Sequence, residues 1–490
     1  MRKSGILMPI FSLPSNQGIG TLGNSAYKFI DFLKSAGQKV WQLLPLCPAD
    51  FFNSPYQSDS FFAGNPLFID LELLKEDGLL KNEDFSNKIF TVNEVDYAAV
   101  KPYCEDMLKK AFSRFRYEDF KADFDSFTET NSFWAEDYAL FCAIKKNFGG
   151  VPWTDFPSPL KSREPAALES AKAAYSEDIA YTLFVQFIFY RQWEKLHAYA
   201  AFNGVELFGD MPIYPSHDSA DVWAHPEFFM LDKNGALTET AGTPPDAFSP
   251  DGQLWGNPVY NYDNMKKGGR PYSLWTDRIL HAVKIYDRVR IDHFRGLDEF
   301  FAIPAGDKPA ANGVWRKAPG SEIFAAAEKE YGATLPVAAE DLGTLTDGVR
   351  QLLKTTGFAG MKVLQFGFDG DSQNPYLPYN FTKNCVAYLG THDNPTIISF
   401  KDENPKTAER ILQYTGNTGE AFNWAAIRML EASVADTVIL TLPDIMGLGS
   451  AGRINTPATT ENNWKWRIDG GCLNPWLAGI LRDITLLYGR

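Results

Sequence analysis

Three acidic residues stand at, or just past, the ends of short strand-like runs. Asp292 closes RVRID (288–292), Glu340 closes LPVAAE (335–340), and Asp393 follows CVAYLGTH (385–392). Where parallel strands close into a ring, reacting groups come from the C-terminal ends of several strands. Asp292 and Glu340, on consecutive runs, would then be neighbours on one rim, with Asp393 facing them across the mouth. Two adjacent carboxylates in unlike surroundings can divide the cleavage of a glycosidic bond. One attacks the anomeric carbon; the other protonates the departing oxygen and later activates the acceptor. The double-displacement form of this chemistry needs the two carboxyl groups about 5–5.5 Å apart.

The stretch RVRIDHFRG (288–296) shows how such a site could be placed. Side chains alternate across a strand, so Val289 and Ile291 share one face while Arg288, Arg290 and Asp292 share the other. The aliphatics are expected to meet helices and the charges to face a polar mouth, where Arg290 would favour the charged form of Asp292. The alternative is that Arg290 and Asp292 form a buried ion pair with a neighbouring strand. His293 would point to the opposite face, for packing or for substrate contact.

Eight runs of this kind recur: ILMPI (6–10), KVWQLLP (39–45), VELFGDMPI (205–213), RVRID (288–292), LPVAAE (335–340), MKVLQFG (361–367), CVAYLG (385–390) and TVILTL (437–442). Helical patterns lie between them. Ala26, Phe29, Ile30 and Leu33 recur at helical spacing before Gly37, as do Trp275, Ile279, Ala282, Val283 and Tyr286, and then Val349, Leu352 and Leu353. Eight such units predict an α/β fold, a closed (β/α)8 (TIM) barrel rather than an open sheet, with the whole chain 1–490 as one catalytic unit. Two intervals exceed a plain crossover. Residues 74–180 read as a helical insertion after the second strand. Residues 211–270, rich in Pro, Gly, Asp and Trp, read as a loop-rich insertion after the third that contributes to a substrate cleft.

Composition narrows the partners. A net charge of −14 opposes binding to nucleic acid, which depends on Lys and Arg against phosphate. Aromatics at 14% suit a surface for sugar rings or bases, although most must be core. The basic N-terminus has a short apolar run interrupted by Pro9, which argues against a signal peptide, and no run is long enough for a membrane span. Five scattered cysteines without a CxxC pair read as reduced thiols of a cytoplasmic protein. His217 and His225 have no metal-ligand spacing. GLGSAG (447–452) fits GxGxxG, but Pro457 and the aperiodic segment after it provide no helix to receive a phosphate. No metal or cofactor is expected, and the oligomeric state is open.

In order and spacing, RVRIDHFRG, VAAEDLG (337–343) and YLGTHDNPT (388–396) resemble the conserved regions of the α-amylase clan. SPYQSDSFFAGNPLFID (54–70), GDMPIYPSHDSADVW (209–223) and AGTPPDAFSPDGQLWGNPVY (241–260) resemble the 4-α-glucanotransferases, also called amylomaltases or disproportionating enzymes, of a glycoside hydrolase family 77 type. The likeness runs from LPSNQGIGTLG (13–23) to NNWKWR (462–467). It implies that Asp292 is the nucleophile, Glu340 the general acid/base and Asp393 the carboxylate that grips sugar hydroxyls. It places Arg290, His392 and Asp210 around the cleaved sugar and Tyr56 and Trp255 along the glucan. Pro245, Asp246 and Phe248 would belong to a loop arching over the cleft. Ala247 stands where that loop often has Tyr, and LPD (442–444) and INTPA (454–458) depart from LQD and MNTPG. The implied activity is retaining transfer of α-1,4-glucan segments between maltooligosaccharides, in starch and glycogen metabolism. An α-glucan hydrolase on the same scaffold and a non-catalytic glucan-binding protein are the alternatives.

Overall fold

The computed structural model describes residues 2–50, 52–85, 88–245, 251–308, 310–343 and 345–490. Its strands are β1 (Lys3–Leu7), β2 (Val40–Gln42), β3 (Glu206–Met211), β4 (Glu239–Thr243), β5 (Gln253–Pro258), β6 (Arg288–Ile291), β7 (Glu299–Pro304), β8 (Val314–Lys317), β9 (Val337–Ala339), β10 (Gly360–Val363), β11 (Cys385–Tyr388) and β12 (Thr437–Thr441). Eight are parallel, in the order β10-β11-β12-β1-β2-β3-β6-β9, and a parallel bridge between Ala338 and Ala359 links the two ends of this sheet. The ring is the expected (β/α)8 barrel.

Each of the eight sequence runs overlaps one barrel strand, with ends that differ for local reasons. Pro9 has no amide to donate, and β1 lies earlier than its run, ending at Leu7. After β10 the chain tightens into a 3-10 turn at Leu364–Phe366 instead of continuing to Gly367. After β6, His293 adopts the left-handed conformation (φ 46°), which ends the strand at Ile291 and turns the chain beyond Asp292. Gly5 is required where β1 meets β2, because a Cβ there would lie 2.4 Å from the Val40 carbonyl oxygen.

The crossover helices bury the stripes read from the sequence. Asn24–Ser35 buries Ala26, Phe29, Ile30 and Leu33; Ser273–Ile285 buries Trp275, Ile279 and Ala282; Asp347–Thr356 buries Val349 and Leu352. Strands covered on both sides carry continuous apolar runs, and β11 and β12 are buried throughout. Between β2 and β3 come helices that include Tyr97–Arg114, Tyr117–Thr130 and Ala135–Asn147, all packed against the long helix Ser176–Phe202 that returns to β3. The segment after β3 holds regular structure that its Pro- and Gly-rich composition conceals. There β4 and β5 join β7 and β8 in a four-stranded antiparallel sheet, ordered β5-β4-β7-β8.

One expectation is corrected at the barrel floor. Arg288 shares the interior face with Arg290 but starts its strand, so it lies at the end remote from the mouth. There Nε pairs with Glu206 at 2.9 Å and Nη1 donates to Thr437 Oγ1 at 3.0 Å. Its charge ties β6 to β3 and to β12, four strands away around the ring.

Candidate active site

Strand register brings the acids together. Asp210, Arg290 and Ala338 are paired across β3, β6 and β9, and Ile291 pairs with Ala339. Beyond these pairs the Asp292 amide donates to the Met211 carbonyl and the Glu340 amide to the Ile291 carbonyl, each at 3.0 Å. Asp292 and Glu340 are therefore the first residues past the ends of adjacent strands, about one strand spacing (~4.8 Å) apart along the rim. The left-handed turn at His293 has a local purpose. It aims the His293 amide at Glu340 Oε2 (2.8 Å), while the Leu342 amide donates to Oε1 (2.9 Å). Both carboxyl oxygens are thereby held by backbone.

The two carboxyl groups meet different surroundings. Asp292 Oδ1 lies 2.7 Å from Arg290 Nη2. The other guanidinium nitrogen, Nη1, donates to both oxygens of Asp210 at 2.8 and 2.7 Å. The Arg290 and Asp210 side chains are 5% and 0% exposed, so this is a buried ion pair with the neighbouring strand as well as the wall of the mouth. Burial works against the charge of Arg290, yet Asp210 and Asp292 outweigh it and hold its pKa well above the usual value. Burial raises Asp210, with Arg290 opposing. Glu340 is raised to about 8, first by desolvation against the cleft walls and then by the charge of Asp292, with Arg290 acting the other way. At neutral pH Glu340 is thus a carboxylic acid beside an arginine-paired carboxylate.

Tyr56 joins this wall to the third acid. Its hydroxyl donates to Asp210 Oδ2 at 2.7 Å, and its ring stacks on His392, centroids 5.3 Å apart and planes inclined by 13°. Burial, reinforced by Asp210, raises the phenol far above its ordinary value, and the charges of Asp292 and Asp393 reach the same phenol. Two of the three acids expected at the mouth, Asp292 and Asp393, thus act with Asp210 on a single tyrosine. Asp393 Oδ1 accepts from Asn455 Nδ2 at 2.6 Å, Oδ2 lies 3.3 Å from His392 Nε2, and its carbonyl accepts from Arg453 Nη2 at 2.8 Å.

Trp255, on β5, stands beside the same turn, its ring perpendicular to that of His293 with centroids 4.9 Å apart. The His293 ring meets Trp255 instead of the opposite strand face because the residue has already left the strand. Burial lowers this imidazole to about 4, with Asp292 opposing, so it is neutral at neutral pH. Gln57 and Asn257 exchange hydrogen bonds of 2.9 and 3.1 Å, and Asn257 Nδ2 also donates to the Pro215 carbonyl at 2.7 Å. This amide pair fastens the loops of Tyr56, Tyr214 and Trp255 to one another. Asp246, Ala247 and Phe248 lie outside the described residues, and Pro245 is exposed at the edge of that interval. Among the described residues no group of three or more His, Cys, Asp or Glu side chains could hold a metal ion, and no helix is long and apolar enough to cross a membrane.

Reasoning from the sequence missed Asn455, Arg453, Gln57 and Asn257 as parts of the site. Asn455 falls in INTPA, noted only for its departure from a pattern, and Trp464, within NNWKWR, lies 5.9 Å from His392 between ring centroids. A polar loop following the last strand was the available signal.

A closed parallel barrel with paired carboxylates at the C-terminal strand ends and an arginine beneath one of them has the layout of a retaining glycosidase. The family model described as 4-alpha-glucanotransferase matches residues 8–473. The 4-alpha-glucanotransferase of Synechocystis sp. (strain ATCC 27184 / PCC 6803 / Kazusa) is 44% identical over 497 residues, covering 100% of this chain and 98% of that one. That of Clostridium butyricum is 42% identical over 489 residues, covering 99% and 100%. The amylomaltase of Streptococcus agalactiae, solved in complex with acarbose, superposes with a TM-score of 0.96 at 39% identity over 100% of both chains. Amylomaltase from Corynebacterium glutamicum, at 16% identity, TM-score 0.79 and coverage of 100% and 75%, shares the fold. The chain belongs to the 4-alpha-glucanotransferase family.

Proposed function

We propose that this chain is a retaining 4-α-glucanotransferase that moves α-1,4-glucan segments between maltooligosaccharides. Asp292 attacks the anomeric carbon while the protonated Glu340 gives its proton to the departing glycosidic oxygen. The C–O bond to the leaving glucan breaks as the bond to the Asp292 carboxylate forms. Glu340, now a carboxylate, takes the proton of an acceptor 4-hydroxyl, whose oxygen displaces Asp292 and restores both side chains. Asp393, steadied by Asn455, accepts hydrogen bonds from hydroxyls of the distorted sugar, and Arg290 with Asp210, Tyr56 and His392 forms the wall of that subsite. Asp246 and Phe248 belong in this reading to the covering loop, and Trp255 to the contacts along the glucan. Release to a sugar in preference to water requires the acceptor to be held and water kept out, which an aromatic-lined cleft favours.

The observation that carries this reading is the unlike setting of two neighbouring carboxyl groups at adjacent strand ends, Asp292 Oδ1 lying 2.7 Å from Arg290 Nη2 and Glu340 pushed up to about 8 by burial. The substrates are maltooligosaccharides and α-1,4-glucans, the setting is starch and glycogen metabolism, and the compartment is the cytoplasm. Residues 1–490 act as one catalytic unit, with 74–180 and 211–270 as insertions and the latter shaping the cleft. Incubation of the pure protein with maltotriose should yield glucose and a ladder of longer oligomers. Shorter products alone would indicate hydrolysis, and binding without turnover a glucan-binding protein.

A further inference from the structure

A groove of about 380 Å3 lies on the flank of the barrel, lined by Tyr379, Tyr414, Glu420, Arg428, Ser433 and Val434 among others. It is remote from the carboxylates. Ser433 and Val434 shortly precede β12 and Tyr379 precedes β11, so this part of its lining lies toward the N-terminal strand ends, whereas Asp292, Glu340 and Asp393 follow the C-terminal ends. Its size falls within the range of small-ligand sites, roughly 300–1,000 Å3.

Two aromatic rings stand exposed in its lining. Tyr379 is 56% and Tyr414 44% exposed, with centroids 6.1 Å apart and planes inclined by 27°. Neither is loosely held. The Tyr379 hydroxyl donates to the Ser372 carbonyl at 3.3 Å, and Asn380 Nδ2 braces the same turn by donating to the Ser372 and Asn374 carbonyls, each at 2.9 Å. Tyr414 rests edge-on against Phe368, centroids 5.4 Å apart. Exposed rings fixed in advance cost a ligand little ordering entropy.

The polar lining selects for a neutral, hydroxyl-rich molecule. Arg428 is engaged by Glu420 through Nε (3.2 and 3.1 Å) and Nη2 (2.6 Å), so its charge is neutralised and it presents no open anion site. The pair still offers a carboxylate and spare guanidinium N–H groups, the acceptor and donor set that vicinal sugar hydroxyls use. Ser433, also in the lining, is 7% exposed, and its hydroxyl has no hydrogen-bond partner among the described residues. An apolar peptide would leave these polar groups unanswered, and an anionic ligand would face Glu420.

We infer that this groove is a second glucan-binding site, holding an α-1,4-glucan chain against Tyr379 and Tyr414 apart from the catalytic cleft. The inference rests on the reading of the chain as a glucan-active enzyme. Such a site would tether the enzyme to a polymer while the cleft works on chain ends, and would leave short substrates unaffected.

Native electrophoresis through gels containing glycogen tests it, with Asp292→Ala as the background so that the polymer is not remodelled. Adding Tyr379→Ala and Tyr414→Ala should raise the apparent dissociation constant for glycogen about tenfold. In the protein with Asp292 intact, the same two substitutions should leave maltotriose turnover within about twofold of the unsubstituted enzyme. Unchanged glycogen retardation overturns the inference. A large loss of maltotriose turnover overturns it too, because the groove would then serve the cleft. Failure of the unsubstituted enzyme to turn over maltotriose defeats the transferase reading instead, and is read independently of the gel.

Discussion

Glu340 offers the sharpest quantitative test of the site. Its ordinary value is 4.5 and its value in the fold about 8. Between those limits the folded chain holds a proton that the unfolded chain has released, so the group's contribution to stability falls as pH rises and its loss is complete above about pH 8. The slope approaches ~1.4 kcal/mol per pH unit in the middle of the window, and the whole penalty is about 2–5 kcal/mol once relaxation of a partly exposed carboxyl is allowed. Glu340→Gln removes the titration. The amide cannot accept with both atoms from the His293 and Leu342 N–H groups, so a pH-independent cost of about 1–3 kcal/mol appears as a constant offset. Urea unfolding of both proteins from pH 5 to 9 cancels other groups that titrate alike in the two. The variant's stability relative to the parent should climb with pH and level off above about pH 8. A difference that stays flat across that range refutes the assignment of a raised pKa, and with it the acid role. The same proton governs turnover: kcat/KM of the parent should fall about tenfold per pH unit above about pH 8 as the acid is lost.

Asp292→Ala should abolish maltotriose turnover by several orders of magnitude, far more than a folding defect of ~1–3 kcal/mol would produce in soluble protein, and retained activity measured by glucose release would remove the nucleophile assignment. Arg290→Ala strands Asp210 and Asp292 without their counter-charge, and urea midpoints should report a loss of about 3–5 kcal/mol. Asn455→Ala frees Asp393 Oδ1 and should lower kcat tenfold to a hundredfold, the rate equivalent of ~1.5–3 kcal/mol for a hydrogen bond to a charged group; an unaltered kcat would show that Asp393 needs no such support. Asn257→Ala breaks the amide pair behind Trp255, and its effect should fall on the KM for acceptor maltooligosaccharides more than on kcat.

The barrel was legible because it is written locally. Buried parallel strands are short apolar runs, and the crossover helices carry stripes such as Ala26, Phe29, Ile30 and Leu33, so each element declares its type and the alternation declares the architecture. The acids were legible for the same reason, since a charge at the end of an apolar run has few structural uses. Strand ends were less clear, because they depend on turns such as the left-handed His293 that no periodicity marks. The β5-β4-β7-β8 sheet escaped notice because β4 and β5 are rich in Gly, Pro and Thr, and because β6 separates that pair in sequence from β7 and β8.

From the chain's residues alone came the alternation of Arg288, Arg290 and Asp292, the eight strand runs and the types of side chain available at their ends. Only the folded ring decided that Arg288 serves the floor while Arg290 serves the mouth, that Asn455 steadies Asp393, and that Tyr56 stands among three carboxylates. Periodicity fixes which way a side chain points, and that is a property of neighbours in sequence. Partnership, burial and the proton on Glu340 depend on groups brought close by ring closure, and residues 47 to 154 positions apart have no local pattern that could announce them.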